Sequence, residues 1–143
     1  MSEPKKNTLQ QVLEAHQAVT TLIDSDKRNK YVLSSATRIK LAGNLRKTRG
    51  PAEDYEKERV ELVKTLGEVD EKGSTKVKPE NQAKFEEELK TMLAQETDVT
   101  FNPITEAALL GVTEEEEKAG KKANQIDIDL IAFMQEVGLL KNE

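Results

Sequence analysis

Thr8-Leu-Gln-Gln-Val-Leu-Glu-Ala-His-Gln-Ala-Val-Thr-Thr-Leu-Ile23 repeats apolar residues at Leu9, Val12, Leu13, Val19, Leu22 and Ile23, with Ala15 and His16 between them. Steps of three and four place these side chains along one stripe of an α-helix, whereas a half-buried strand needs strict alternation. The polar run Asp24-Ser-Asp-Lys-Arg-Asn-Lys30 ends the pattern and supplies turn formers, so the chain is expected to reverse there into a helical hairpin.

The returning helix is expected over residues 31–49, and its apolar residues fall on two faces. Val32, Ala36 and Ile39 form one stripe; Tyr31, Leu41 and Leu45 form another, well separated at about 100° per residue. A helix with two such stripes packs against two neighbours, as a central helix or an interface helix. Gly50-Pro51 interrupts the pattern, and a proline there either opens a new helix or kinks a continuous one. Helical spacing resumes at Ala52, Tyr55, Arg59, Leu62, Val63 and Leu66, with Glu53, Asp54, Glu56 and Glu58 suited to a helix amino end.

Beyond this helix, Gly67 suits a left-handed cap, and residues 68–77 read as a β-hairpin turning at Asp70 to Gly73. Pro79 opens a further helix to about residue 95, carrying Ala83, Phe85, Leu89, Met92 and Leu93 inward. Val99 and Phe101 alternate ahead of Pro103, which makes residues 98–102 a strand candidate that pairs with the hairpin in a three-stranded sheet. Then follow an apolar turn at Ala107 to Leu110, a capping box at Thr113 and Glu116, a connector at Gly120-Lys-Lys-Ala123 and a last helix over residues 124–137. The tail Gly138-Leu-Leu140 is expected to fold back over a core. The fold class is therefore mainly α, a helical hairpin or bundle with a small antiparallel β element at about residues 68–77 and 98–102. One domain is expected over residues 1–143, with a kink or subdomain break at Gly50-Pro51 and a helical extension over residues 120–143.

Composition agrees with a helical core. Of 143 residues, 34% are charged and 3% aromatic with no tryptophan, so Leu, Val, Ile and Ala must fill the interior. The absence of cysteine removes disulfides, thiolate metal sites and cysteine nucleophiles, and fits a reducing compartment. The start, Met1-Ser-Glu-Pro-Lys-Lys, leads into polar residues rather than a signal-peptide apolar core, and no stretch approaches the roughly 20 apolar residues of a membrane span. The net charge of −5 is unevenly placed: residues 1–50 carry ten basic against four acidic residues, and the remainder 12 against 23. Such a bipolar chain can steer partners or associate with itself, or simply present a solvated surface.

Little in the sequence points to catalysis. His16 is the only histidine and stands among Leu13, Val19 and Thr20 with no triad partners nearby. The acidic runs at Glu86 to Glu88 and Glu114 to Glu117 point around a helix instead of converging on one reacting atom. Asp24-Ser-Asp26 and Asp70-Glu-Lys-Gly73 imitate parts of a calcium loop without its twelve-residue ligand pattern and read better as turns. Gly43, Gly50 and Gly67 stand alone, and Gly120-Lys121-Lys122 lacks the rest of a phosphate loop. The cluster Arg38, Lys40, Arg46, Lys47 and Arg49, beside Tyr31, is the one anion-recognition candidate, since guanidinium forks suit phosphates and an aromatic can stack on a base. Its cations spread around the helix, however, and pairing with the acidic second half is the expected fate.

Residues 55–101 have a more distinctive order: Leu62-Val-Lys-Thr-Leu-Gly-Glu68, Asp70-Glu-Lys-Gly73, then Pro79-Glu-Asn-Gln-Ala-Lys-Phe-Glu-Glu-Glu-Leu89. This succession of helix, glycine-containing hairpin, helix and strand resembles a family of small uncharacterised proteins of tailed bacteriophages. The resemblance covers about a third of the chain, leaving the Gly50-Pro51 break and residues 120–143 unmatched. It implies a viral accessory or virion-associated protein of the host cytoplasm or the virion, with no catalytic residues to carry over.

The leading expectation is a non-enzymatic phage structural, assembly or accessory protein that acts by homo-oligomerisation, with no cofactor and no metal. Tyr31, Leu41, Leu45 and the cations Arg38, Lys40, Arg46, Lys47 and Arg49 are expected at its contact surface. Other phage or host proteins are further candidate partners, with nucleotide or nucleic acid ranked behind them and no membrane. The alternative is a host-directed binding module that sequesters a nucleotide signal or inhibits a host protein.

Overall fold

The computed structural model describes residues 6–28 and 31–141. Asn29 and Lys30 of the expected turn, the amino-terminal residues 1–5 and the last two residues of the expected extension lie outside the described residues. The described chain is mainly helical with small β elements.

Helix α1 runs over Leu9–Lys27, four residues past Ile23, where the helical pattern was expected to end. Thr8 starts it with a capping box: its hydroxyl accepts from Gln11 N–H (3.2 Å) and its own N–H donates to Gln11 Oε1 (3.0 Å). Val12, Ala15, Val19 and Leu22 form the fully buried stripe. The first turn is also held by the distant chain, because Leu9 N–H donates to the Gln95 carbonyl and Thr97 N–H to that of Asn7.

Helix α2 spans Ser35–Leu66, about 48 Å at 1.5 Å per residue, and continues through Gly50 and Pro51 without a break. Of the two outcomes open for Pro51, a new helix is thus excluded. A mid-helix proline forgoes one backbone hydrogen bond, and the helix is anchored on both sides of it, by Thr48 before and Leu66 after, both buried. Tyr31 lies ahead of the helix, whose cap is Ser34, accepting from Thr37 N–H at 3.2 Å.

At its carboxyl end, α2 passes directly into strand β1 (Gly67–Val69), antiparallel to β2 (Thr75–Val77) with Gly67 opposite Val77. The hairpin and its turn are as expected: Asp70 Oδ1 accepts from the N–H groups of Lys72 and Ser74 at 2.9 Å, and Gly73 adopts φ +82°. Gly67 is not the left-handed cap expected from the sequence, since its φ is −114°. Glycine is needed there for space, because a Cβ would overlap the carbonyl oxygens of Val63 and Lys76. A 3-10 turn at Pro79–Asn81 leads into α3 (Gln82–Leu93), on which Phe85, Leu89, Met92 and Leu93 are half-buried and Ala83, expected inward, is exposed.

Residues 98–102 do not form the expected third strand. Their backbone groups are taken by side chains: Asn44 Nδ2 donates to the Asn102 carbonyl (3.0 Å), Asn102 N–H to Asn44 Oδ1 (2.8 Å), Lys47 Nζ to the Thr100 carbonyl (2.9 Å) and Asn7 Nδ2 to the Val99 carbonyl (3.4 Å). The strand instead falls just after Pro103, where β3 (Ile104–Thr105) pairs in parallel with β4 (Leu140–Lys141). Helix α4 (Glu106–Leu110) ends at Gly111 in the left-handed region, and α5 (Glu114–Lys118) carries the expected capping box of Thr113 and Glu116. The last helix, α6 (Ile128–Val137), begins four residues later than expected because Asn124 is engaged elsewhere: its side chain donates to the Val32 and Leu109 carbonyls and accepts from Val32 N–H.

The core gathers Ala15, Val19 and Leu22 of α1, Leu41 of α2, Phe101 and Ile104, Leu109, and Met134, Val137, Leu139 and Leu140 from the end of the chain. Residues 138–140 fold back as expected, turning at Gly138 with φ +88°. This core lies against the amino-terminal half of α2, whereas no residue of α3 is fully buried.

Candidate interaction surface

The first half of α2 turns a polar-rich stripe inward. Thr37, Leu41, Asn44 and Thr48, at steps of three and four, are all buried, and each polar member has a partner. Thr37 Oγ1 meets Ser34 Oγ at 3.0 Å, Asn44 is matched to Asn102, and Thr48 Oγ1 donates to the Leu45 carbonyl at 3.0 Å while lying 2.8 Å from His16 Nδ1. His16, half-buried, thereby joins α1 to α2.

This arrangement reverses the expected roles of the two apolar stripes. Leu41 is 1% exposed and Tyr31 and Leu45 pack against the core, so Leu41 is unavailable to a partner and the other two present only part of their surface. The other stripe faces outward: Val32 is 78% and Ile39 70% exposed, with Ala36 exposed beside them. Sequence reasoning missed the inward set because three of its four members are polar. The signal that identifies them is helical spacing shared with Leu41.

The cations surround the outward face. Arg38 and Arg49 lie on one flank of the buried stripe, Lys40 and Lys47 on the other, and Arg46 opposite it, at about 100° per residue. Among the described residues, none of these cations pairs with an acidic residue of the second half of the chain. Arg38 instead makes a two-pronged contact with Asp26 of α1 (2.8 and 3.1 Å), and Lys47 binds the Thr100 carbonyl. Lys40, Arg46 and Arg49 have no ion pair among the described residues. No acidic residue occurs between Asp26 and Glu53, so this half of α2 is a purely cationic surface interrupted by Ala36, Ile39, Gly43 and Gly50.

The carboxylates are dispersed. Glu86, Glu87 and Glu88 are exposed, Asp24 pairs with Arg28 at 3.2 Å, and Asp70 serves its turn. The Arg59 hydrogen bond, with its charge adding to the effect, holds the Glu56 carboxyl below its ordinary range. The Lys121 ammonium, followed by Thr113 N–H, does the same to Glu116. Among the described residues no three potential ligands come together to hold a metal ion, and no helix is long and apolar enough to cross a membrane. Comparison with protein-family models, curated proteins and solved structures finds no match for the chain.

Proposed function

We propose that this chain is a non-enzymatic assembly protein that acts by associating with copies of itself through the outward face of α2. One observation carries the reading: Ile39, 70% exposed on the longest helix of the described chain, stands among Lys40, Arg46 and Arg49, which have no ion pair among the described residues, and Val32, 78% exposed, lies just ahead of that helix. Isolated exposed apolar residues are common, but an apolar and cationic face on a helix already anchored along its opposite side is suited to receive a partner. The resemblance of residues 55–101 to small proteins of tailed bacteriophages supports placing this assembly in a viral accessory or virion-associated role. Absolute mass by light scattering across a dilution series, at low and moderate salt, tests the reading. A discrete oligomer is expected, and a monomer at every concentration refutes it.

Lys40, Arg46 and Arg49 also favour a second reading, a host-directed binding module that takes an anionic partner such as a nucleotide. Thermal stabilisation by nucleoside phosphates, abolished by substituting these three cations, distinguishes it.

A further inference from the structure

Four outward residues of α2 are spaced by seven: Ile39, Arg46, Glu53 and Val60. Seven residues make nearly two turns, so they form one line that drifts by about 20° per step. All four are exposed, Ile39 at 70% and Val60 at 37%, and neither Arg46 nor Glu53 has an ion pair among the described residues. Their chemical order is apolar, cation, anion, apolar. Reversing that order leaves the apolar ends in place and exchanges the two charges, so the line complements its own reverse.

Resting on the self-association reading above, we infer that the partner is a second copy of this chain whose α2 lies antiparallel to the first across a two-fold axis between Arg49 and Gly50. Ile39 then faces the partner's Val60, Arg46 faces the partner's Glu53, and the symmetry makes each contact twice. The parallel alternative sets Arg46 against its own copy and Glu53 against its own. Charge therefore chooses the direction and the register, which is what exposed ion pairs do more effectively than they add strength. Of the neighbouring acids, Glu56 is held by Arg59 and Glu61 lies 3.6 Å from Lys64, so these two compete less well for the partner's Arg46.

The surface shape agrees. Glu53, Glu56, Lys57, Val60 and Glu61 line a shallow recess on the second half of α2, and the antiparallel register brings the partner's Ile39 to it. At Gly50, beside the axis, nothing lies within 4 Å of the position a Cβ would take, so no intramolecular contact blocks the approach of a second helix. The two-fold operation uses the same patch on both copies and closes as a dimer.

Charge reversal tests the register. Arg46→Glu and Glu53→Arg are each expected to weaken the dimer by at least about tenfold, and the double variant R46E/E53R to restore it, because the swapped charges meet again across the axis. Both substitutions are at exposed positions, and circular dichroism checks that α2 remains folded in all three variants. Since the chain has no cysteine, Ile39→Cys with Val60→Cys also gives a clean probe, expected to form a disulfide-linked dimer that neither single variant forms. If the parent chain is an oligomer but the double variant stays as dissociated as the single ones, the antiparallel register is wrong while self-association stands. If the parent chain is a monomer throughout, the self-association reading itself fails, and this inference with it.

Discussion

The Asn44 carboxamide exchanges two hydrogen bonds with the backbone of Asn102, accepting its N–H at 2.8 Å and donating to its carbonyl at 3.0 Å. A hydrogen-bonded pair of residues in an antiparallel sheet makes the same exchange, so a helix side chain here stands in for a neighbouring strand. The Asn102 backbone is thus satisfied without residues 98–102 joining a sheet.

Asn44 is fully buried, and Asn44→Ala leaves both Asn102 groups without their partner. A loss of about 1–3 kcal/mol is expected, measured by urea denaturation. Asn44→Asp keeps an acceptor but sets a carboxylate against the Asn102 carbonyl, and is expected to cost at least as much.

Leu41 and Ile39 are two residues apart and should behave oppositely. Leu41→Ala removes a buried core side chain and is expected to cost about 2–5 kcal/mol. Ile39→Ala lies at an exposed site and is expected to change stability of the isolated chain by no more than about 0.5 kcal/mol while weakening self-association. Denaturation and light scattering on the same samples separate the two effects.

Thr48→Val removes the hydroxyl that joins His16 to the Leu45 carbonyl while keeping the branched shape. A loss of about 1 kcal/mol is expected in denaturant unfolding, with helix content unchanged in the folded baseline. An unchanged midpoint would show that the His16 contact contributes nothing to α1–α2 packing.

Glu116 is held below its ordinary carboxyl value by Lys121 and by Thr113 N–H. A depressed folded-state pKa stabilises above the unfolded value, near 4.5, and that contribution is lost as pH falls through the folded-state pKa. The amino end of α5 is therefore expected to loosen only in acid. NMR titration should place the Glu116 midpoint below 4.5, and Lys121→Met should raise it.

Much of this fold is legible in local sequence chemistry. The stripe of α1, the Asp70–Gly73 turn, the Thr113 capping box and the return at Gly138 follow from residue spacing and backbone preference. The misreadings have a common cause, which is that tertiary partners decided the outcome. Of the two outcomes local sequence left open at Pro51, the continuous helix holds, with buried residues on both sides of it. Residues 98–102 took their hydrogen bonds from Asn7, Asn44 and Lys47, side chains distant in sequence. The two faces of α2 were exchanged for the same reason. Thr37, Asn44 and Thr48 read as solvent-facing by type, yet their specific partners carry them inward with Leu41 and leave Ile39 outside. The cationic cluster was visible from composition, but that it finds no acidic partner in the second half of the chain among the described residues needed the structure.

Whether the outward face of α2 holds a second copy is decided by absolute mass measured side by side for the parent chain and Ile39→Ser. A dimer is expected for the parent and a shift to the 16.0 kDa monomer for the variant, at equal concentration and with equal helix content. A parent already at monomer mass, or a variant that remains as dimeric as the parent, would contradict it.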